Sequence, residues 1–179
     1  MTLPDHLGGH ASMTNVDAGV LDALVERFEP ATFLDIGCGL GGMLHEARLR
    51  GLEAKGIDGD YTLDFTGLDV LVHDFTKGPA PLEGEFDLGW CVEVLEHIEE
   101  QYLENLKSAF QACKRVWITH ALPKQIGHHH VNCQKQSYWI NHFRRWGFEA
   151  MTGASNLIRS QSTMLDGYAR RTGLLLVRK

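Results

Sequence analysis

The sequence predicts an α/β fold, a mostly parallel sheet with helices on both faces, and three observations predict it. Short apolar runs of strand length alternate with amphipathic stretches of helix length along most of the chain. Several of those runs end in an acidic residue at a turn. The first of them, Phe33-Leu34-Asp35-Ile36-Gly37-Cys38-Gly39-Leu40-Gly41-Gly42, breaks into a glycine cluster. That succession reads as buried strand, tight turn and helix start, and it lets a backbone approach a nucleotide-like ligand without Cβ interference.

The elements follow in order. Residues 1–14, with His6, Gly8, Gly9 and His10, read as irregular. A helix begins near Asn15, its apolar stripe Val16, Val20, Leu24 and Phe28 recurring every four residues until Pro30 stops it. Strands are predicted at Thr32 to Ile36, Glu53 to Ile57, Val70 to His73, Phe86 to Cys91 and Val116 to His120, with helices at Gly42 to Arg50 and Gln101 to Lys114. The last third departs from simple alternation. A helix over Lys135 to Trp146 precedes a strand at Phe148 to Met151, an irregular or partly helical stretch from Thr152 to Arg171, and a closing strand at Leu174 to Val177.

Gly37, Gly39 and Gly42 satisfy the spacing of a dinucleotide-binding turn, but glycine-rich turns after strands are common. Asp35 discriminates, because a turn facing a pyrophosphate ordinarily carries a neutral residue there, whereas a carboxylate suits a cationic ligand. About 20 residues past the glycines, Ala54 to Ile57 ends in Asp58-Gly59, where an acid can accept both ribose hydroxyls. Val70 to His73 ends in Asp74, followed by Phe75, an aromatic able to lie against an adenine. The fourth run continues from Cys91-Val92 into Glu93-Val94-Leu95-Glu96-His97.

These four segments, each at a strand end, resemble the motifs of class I S-adenosylmethionine-dependent methyltransferases, specifically the small type 11/23-like methyltransferase domains. The resemblance covers nearly the whole chain. It implies a Rossmann-like sheet of seven strands in the order 3-2-1-4-5-7-6, the last strand antiparallel, and S-adenosylmethionine as cofactor. It also implies a cofactor site at Asp35, Gly37, Cys38, Gly39, Gly41, Asp58, Gly59, Asp74, Phe75, Cys91, Val92 and Glu93. Similar small proteins of bacterial and phage type carry a Gly-His-His-His-Val-Asn loop after the fifth strand, as Gly127 to Asn132 does here, with glycine where this chain has Lys124.

In an open parallel sheet the ligand lies at the carboxyl ends of the strands, so the loop from Thr119 to Cys133 faces the acceptor. Its His128, His129 and His130 titrate near neutral pH and are candidates for taking an acceptor's proton. The plainer alternative is that they hydrogen-bond to backbone or water. His97 is a further candidate base, its alternative being to orient the following loop. Glu96 reads as solvated, and Trp90, Trp139, Trp146 and Tyr138 as core or pocket wall. His6, His10, His120, His128, His130 and Cys133 could supply ligands to zinc or iron, but no spaced ligand motif supports that, and no metal is assigned.

At 179 residues the chain is expected to be one domain. A net charge of −6 argues against an extended phosphate-binding surface, so no nucleic-acid partner is expected. The absence of any apolar run near 20 residues predicts no membrane partner and a cytoplasmic protein. The four cysteines form no C-x-x-C pair and read as reduced thiols. The sequence therefore predicts methyl transfer to a hydroxyl, or less directly an amine, of a small molecule or sugar. Its rivals are a noncatalytic domain that binds the cofactor or its demethylated product, and an NAD-dependent dehydrogenase, which leaves Asp35 unexplained.

Overall fold

The structure, a computed structural model, describes residues 3–9, 14–165 and 167–179. Its strands are β1 (Thr32–Ile36), β2 (Glu53–Asp58), β3 (Val70–Val72), β4 (Phe86–Cys91), β5 (Cys113–Ile118), β6 (Phe148–Ala150) and β7 (Leu174–Arg178). They form a sheet in the order β3-β2-β1-β4-β5-β7-β6. Pairings from β3 across to β5 are parallel, and β7 runs antiparallel to both β5 and β6. This is the order and the reversed strand that the motif resemblance implies.

The helices are α1 (Ala18–Phe28), α2 (Gly42–Leu49), α3 (Leu103–Gln111), α4 (Gln136–Arg145), α5 (Thr152–Arg159) and α6 (Tyr168–Thr172). Helix α1 starts at Ala18 and not at Asn15 because Asp17 caps it, accepting the Val20 amide at 3.2 Å. The same buried carboxylate accepts from the Ser162 hydroxyl at 2.6 Å and the Thr163 amide at 2.9 Å, tying the segment after α5 to the first helix. The stretch predicted as irregular or partly helical therefore holds α5 and α6 with a pinned connection between them.

The fifth strand begins three residues before its predicted start, and α3 ends at Gln111 instead of Lys114. Lys114 and Arg115 read as the polar end of a helix. In the fold, Lys114 reaches Asp87 at 2.8 Å, and the Arg115 guanidinium lies 4.7 Å from the Phe28 ring centroid, so both are accommodated in a strand.

Alternation along each strand feeds two cores. Leu34, Ile36, Val116, Ile118, Leu174 and Leu176 pack on one face with Phe110, Trp139 and Phe143 from α3 and α4. Phe33, Leu88, Trp90, Trp117 and Leu175 pack on the other with α1, α2 and Ile158 of α5. At the amino ends of the strands, Asp87 accepts from the Ala31 and Thr32 amides at 2.9 and 3.2 Å and thereby aligns β1 with β4. The opposite ends are left to the loops. Among the described residues no helix is long and apolar enough to cross a membrane.

Candidate active site

The loops leaving the carboxyl ends of β1, β2, β4 and β5 converge on a cleft of about 360 Å³. It lies where the strand order reverses between β1 and β4, the place an open parallel sheet offers a ligand. After β1 the chain turns tightly: the Gly37 and Cys38 amides both donate to the Ile57 carbonyl, at 2.8 and 3.1 Å. Gly37 holds φ +80°, and a Cβ there would stand 2.3 Å from Val94 in the cleft wall, so the position requires glycine. The Gly39 amide donates to Asp58 at 2.7 Å, and the other Asp58 oxygen accepts from the Asp60 amide at 2.8 Å. Asp58 thus clamps the glycine turn as well as facing the cleft.

Asp35 is 3% exposed, and among the described residues no hydrogen-bond donor reaches its carboxyl. Burial, and then the charge of Asp58, hold its pKa well above the ordinary carboxylate range. Burial also pushes the Cys38 thiol upward, with Asp35 and Asp58 adding to the effect, so it is no nucleophile. Asp74 accepts from the Thr76 amide at 2.8 Å and lies 3.2 Å from His6. Burial raises its pKa, but those contacts outweigh burial and leave the carboxyl below its usual range.

Glu93 follows β4 at φ +56°, a left-handed conformation that turns its carboxylate into the cleft wall. Its amide donates to the Thr119 hydroxyl at 2.8 Å, and that hydroxyl donates back to the Glu93 carboxylate at 2.7 Å. Glu96 is fully buried, and among the described residues neither carboxylate oxygen makes a hydrogen bond of good geometry, although the Glu96 and Ala121 amides and the Glu93 carboxyl lie close to them. Burial raises both pKa values, that of Glu96 further because Glu93 adds like-charge repulsion. Burial, followed by the neighbouring His130, pushes His97 down to about 4, so its imidazole is neutral at neutral pH. The histidine loop is hung on this turn: the Val131 and Asn132 amides donate to the Glu96 carbonyl at 2.9 and 3.0 Å, and the His97 and His130 rings meet edge to face at 5.0 Å.

Residues 12–178 match the family described as a methyltransferase domain. The chain belongs to that family.

It is a class I S-adenosylmethionine-dependent methyltransferase, with S-adenosylmethionine as its cofactor. Solved structures of similar fold include a TehB-like methyltransferase from Corynebacterium glutamicum, 21% identical, with 90% of this chain and 86% of that one covered at a TM-score of 0.64. Magnesium protoporphyrin IX methyltransferase from Synechocystis, solved with S-adenosylmethionine bound, is 18% identical over 89% of this chain and 76% of its own, at a TM-score of 0.56. The mitomycin 7-O-methyltransferase MmcR is 16% identical over 90% of this chain, at a TM-score of 0.61. The methyltransferase described here covers 52% of that protein's length.

Of the residues singled out in the sequence, Asp35, Gly37, Cys38, Gly39, Asp58, Gly59, Asp74, Phe75, Val92, Glu93, His97, His128, His129 and His130 line the methyltransferase's cleft. Gly41 and Cys91 do not. Gly41 sits at the start of α2, where a Cβ would stand 2.4 Å from Leu68, and Cys91 is fully buried in the core. Phe75 is 8% exposed and packs into the core cluster, with only an edge left to the cleft. Glu96, read as solvated, is buried because the short 3₁₀ turn Leu95–His97 tucks it beneath the histidine loop.

Among the residues weighed as metal ligands, His120 lies buried near Trp139, and His128 donates through Nε2 to the Asp5 carbonyl at 2.8 Å. Cys133 points its thiol at the Gln125 carbonyl, while His10 lies outside the described residues. Nothing in the residue pattern pointed to the N-terminal segment at the cleft, yet His6, Leu7, Gly8, Gly9 and Thr14 all line it. Their irregular composition carries no periodicity from which a docking position could be read.

Proposed function

We propose that the methyltransferase transfers its methyl group to a hydroxyl of a small molecule or sugar, with Asp35, Gly37, Gly39 and Asp58 holding the cofactor. The observation that carries this reading is that a buried carboxyl without a partner and a loop of histidines face one cleft of small-molecule size. When bound, S-adenosylmethionine supplies an electrophilic methyl group on a positively charged sulfur. The residues present fit it. Asp35 offers a negative charge to the cofactor's ammonium, and the glycine turn keeps side chains out of the space beside it.

Direct displacement at a methyl group needs the acceptor oxygen aligned behind the carbon, so the protein's contribution is positioning plus removal of the hydroxyl proton. In this reading Glu93, whose carboxylate accepts from the Thr119 hydroxyl at the end of β4, receives that proton. His97 is the weaker base of the two readings because its buried ring resists protonation. His129 and His130 line the cleft and, in this reading, contact the acceptor. The chain's net charge of −6 disfavours a polyanionic acceptor.

The test is transfer of labelled methyl from S-adenosylmethionine to a panel of phenols, sugars, amines and short RNAs, with products located by mass spectrometry. O-methylated small molecules are expected, and Glu93→Gln should lower kcat by at least tenfold. Transfer confined to amines or RNA would overturn the acceptor class, and binding of cofactor with no transfer to any acceptor would favour the noncatalytic rival.

A further inference from the structure

We infer that Glu96, His97 and His130 form a binding site for a divalent first-row metal cation, with His97 and His130 in the wall of the cleft and Glu96 buried outside its lining. One ligand atom from each residue lies within 4.8 Å of the other two. Ligands sharing an ion at about 2.1 Å stand roughly 3–4 Å apart, so closing the site takes side-chain adjustment and no backbone change.

Two independent details point the same way. Glu96 is a fully buried carboxyl whose two oxygens, among the described residues, make no hydrogen bond of good geometry, although the Glu96 and Ala121 amides and the Glu93 carboxyl lie close to them; a carboxylate held this way costs stability unless something positive meets it. The two imidazoles are oriented as ligands usually are, with one nitrogen tied to the backbone and the other free. His130 donates through Nδ1 to the Gln125 carbonyl at 3.0 Å, which leaves the Nε2 lone pair available. The His97 ring bonds to the His128 main chain, while its Nδ1 is buried and unpartnered.

The chemistry of the set, two imidazoles and a carboxylate, suits cations from manganese to zinc and, with three protein ligands, leaves a coordination position for an oxygen ligand. His97 and His130 both line the cleft, so a ligand held in the cleft would be the one to take that position. A hydroxyl held there next to Glu93 would lose its proton more readily. Only this last consequence rests on the hydroxyl-acceptor reading; the site itself does not, so binding is measured without turnover.

Metal-free protein is titrated with Co²⁺ and Zn²⁺ by calorimetry, with the visible absorption of Co²⁺ as a second readout. The wild type is expected to bind one equivalent, with affinity lowered at least tenfold in Glu96→Gln and in His130→Ala. His128→Ala should retain it, because that ring is bonded to the Asp5 carbonyl and is no member of the set. Retention of wild-type affinity by either of the first two variants, or absence of binding by the wild type below millimolar metal, would overturn the inference. Should Glu96→Gln fail to fold, His130→Ala, on the loop, decides alone. Metal binding together with methylation of amines alone would leave the site standing and remove the hydroxyl reading.

Discussion

At the residue scale, two positions show how a side chain's surroundings set its chemistry. Asp35 is buried beside Asp58, and both effects favour its protonated form. A cationic ligand requires the ionised form, so affinity for S-adenosylmethionine should rise with pH through the elevated pKa of Asp35 in the free protein and level off above it. Asp35→Asn should bind at least about tenfold more weakly, roughly 1.4 kcal/mol, with that rise diminished; calorimetry at a series of pH values checks both. Glu29 is exposed at the end of α1 with φ +45°, a conformation disfavoured for a residue with a Cβ and followed here by Pro30. Glu29→Gly is therefore expected to raise stability by about 0.5–1 kcal/mol in urea denaturation.

The same strain explains Lys124. It stands at φ +72°, the backbone region that favours the glycine implied at this position by resemblance. Asp35 and the glycines were legible because their spacing and chemistry are local. The burial of Glu96 was not, since carboxylates are seldom fully buried and only the tertiary placement of the histidine loop over the 3₁₀ turn produces it.

At the scale of elements, the strands that place the site are aligned from the far end of the sheet. Asp87 holds the start of β1 through the Ala31 and Thr32 amides and the start of β5 through Lys114, and these contacts, Lys114 first, lower its pKa to about 2. Its folded pKa lies below the unfolded value, so the stabilisation is present above about pH 4 and is lost as pH falls toward 2. Asp87→Ala should cost about 1 kcal/mol near neutral pH, allowing for solvent screening, and the difference from wild type should shrink on acidification; paired urea titrations measure it. Most elements were legible from periodicity because each buries an apolar face. The start of β5 was obscured by two cations whose partners, Asp87 and Phe28, are distant in sequence. The connection between α5 and α6 was hidden for a like reason: it depends on Asp17, more than 140 residues away.

For the whole molecule, strand order concentrates the chemistry. Reversal between β1 and β4 opens the sheet where Asp35 and the glycine turn meet Glu93, and the crossover after β5 brings the histidine loop over the same opening. The N-terminal segment covers it from a side that no local pattern foretold. The measurement that tests this account most directly is parallel calorimetric titration of the intact protein with S-adenosylmethionine, S-adenosylhomocysteine and NAD. One equivalent each of the first two, weakened by Asp35→Asn, with no heat from NAD, is the predicted result. Binding of NAD, or silence from S-adenosylmethionine in the folded protein, would contradict it.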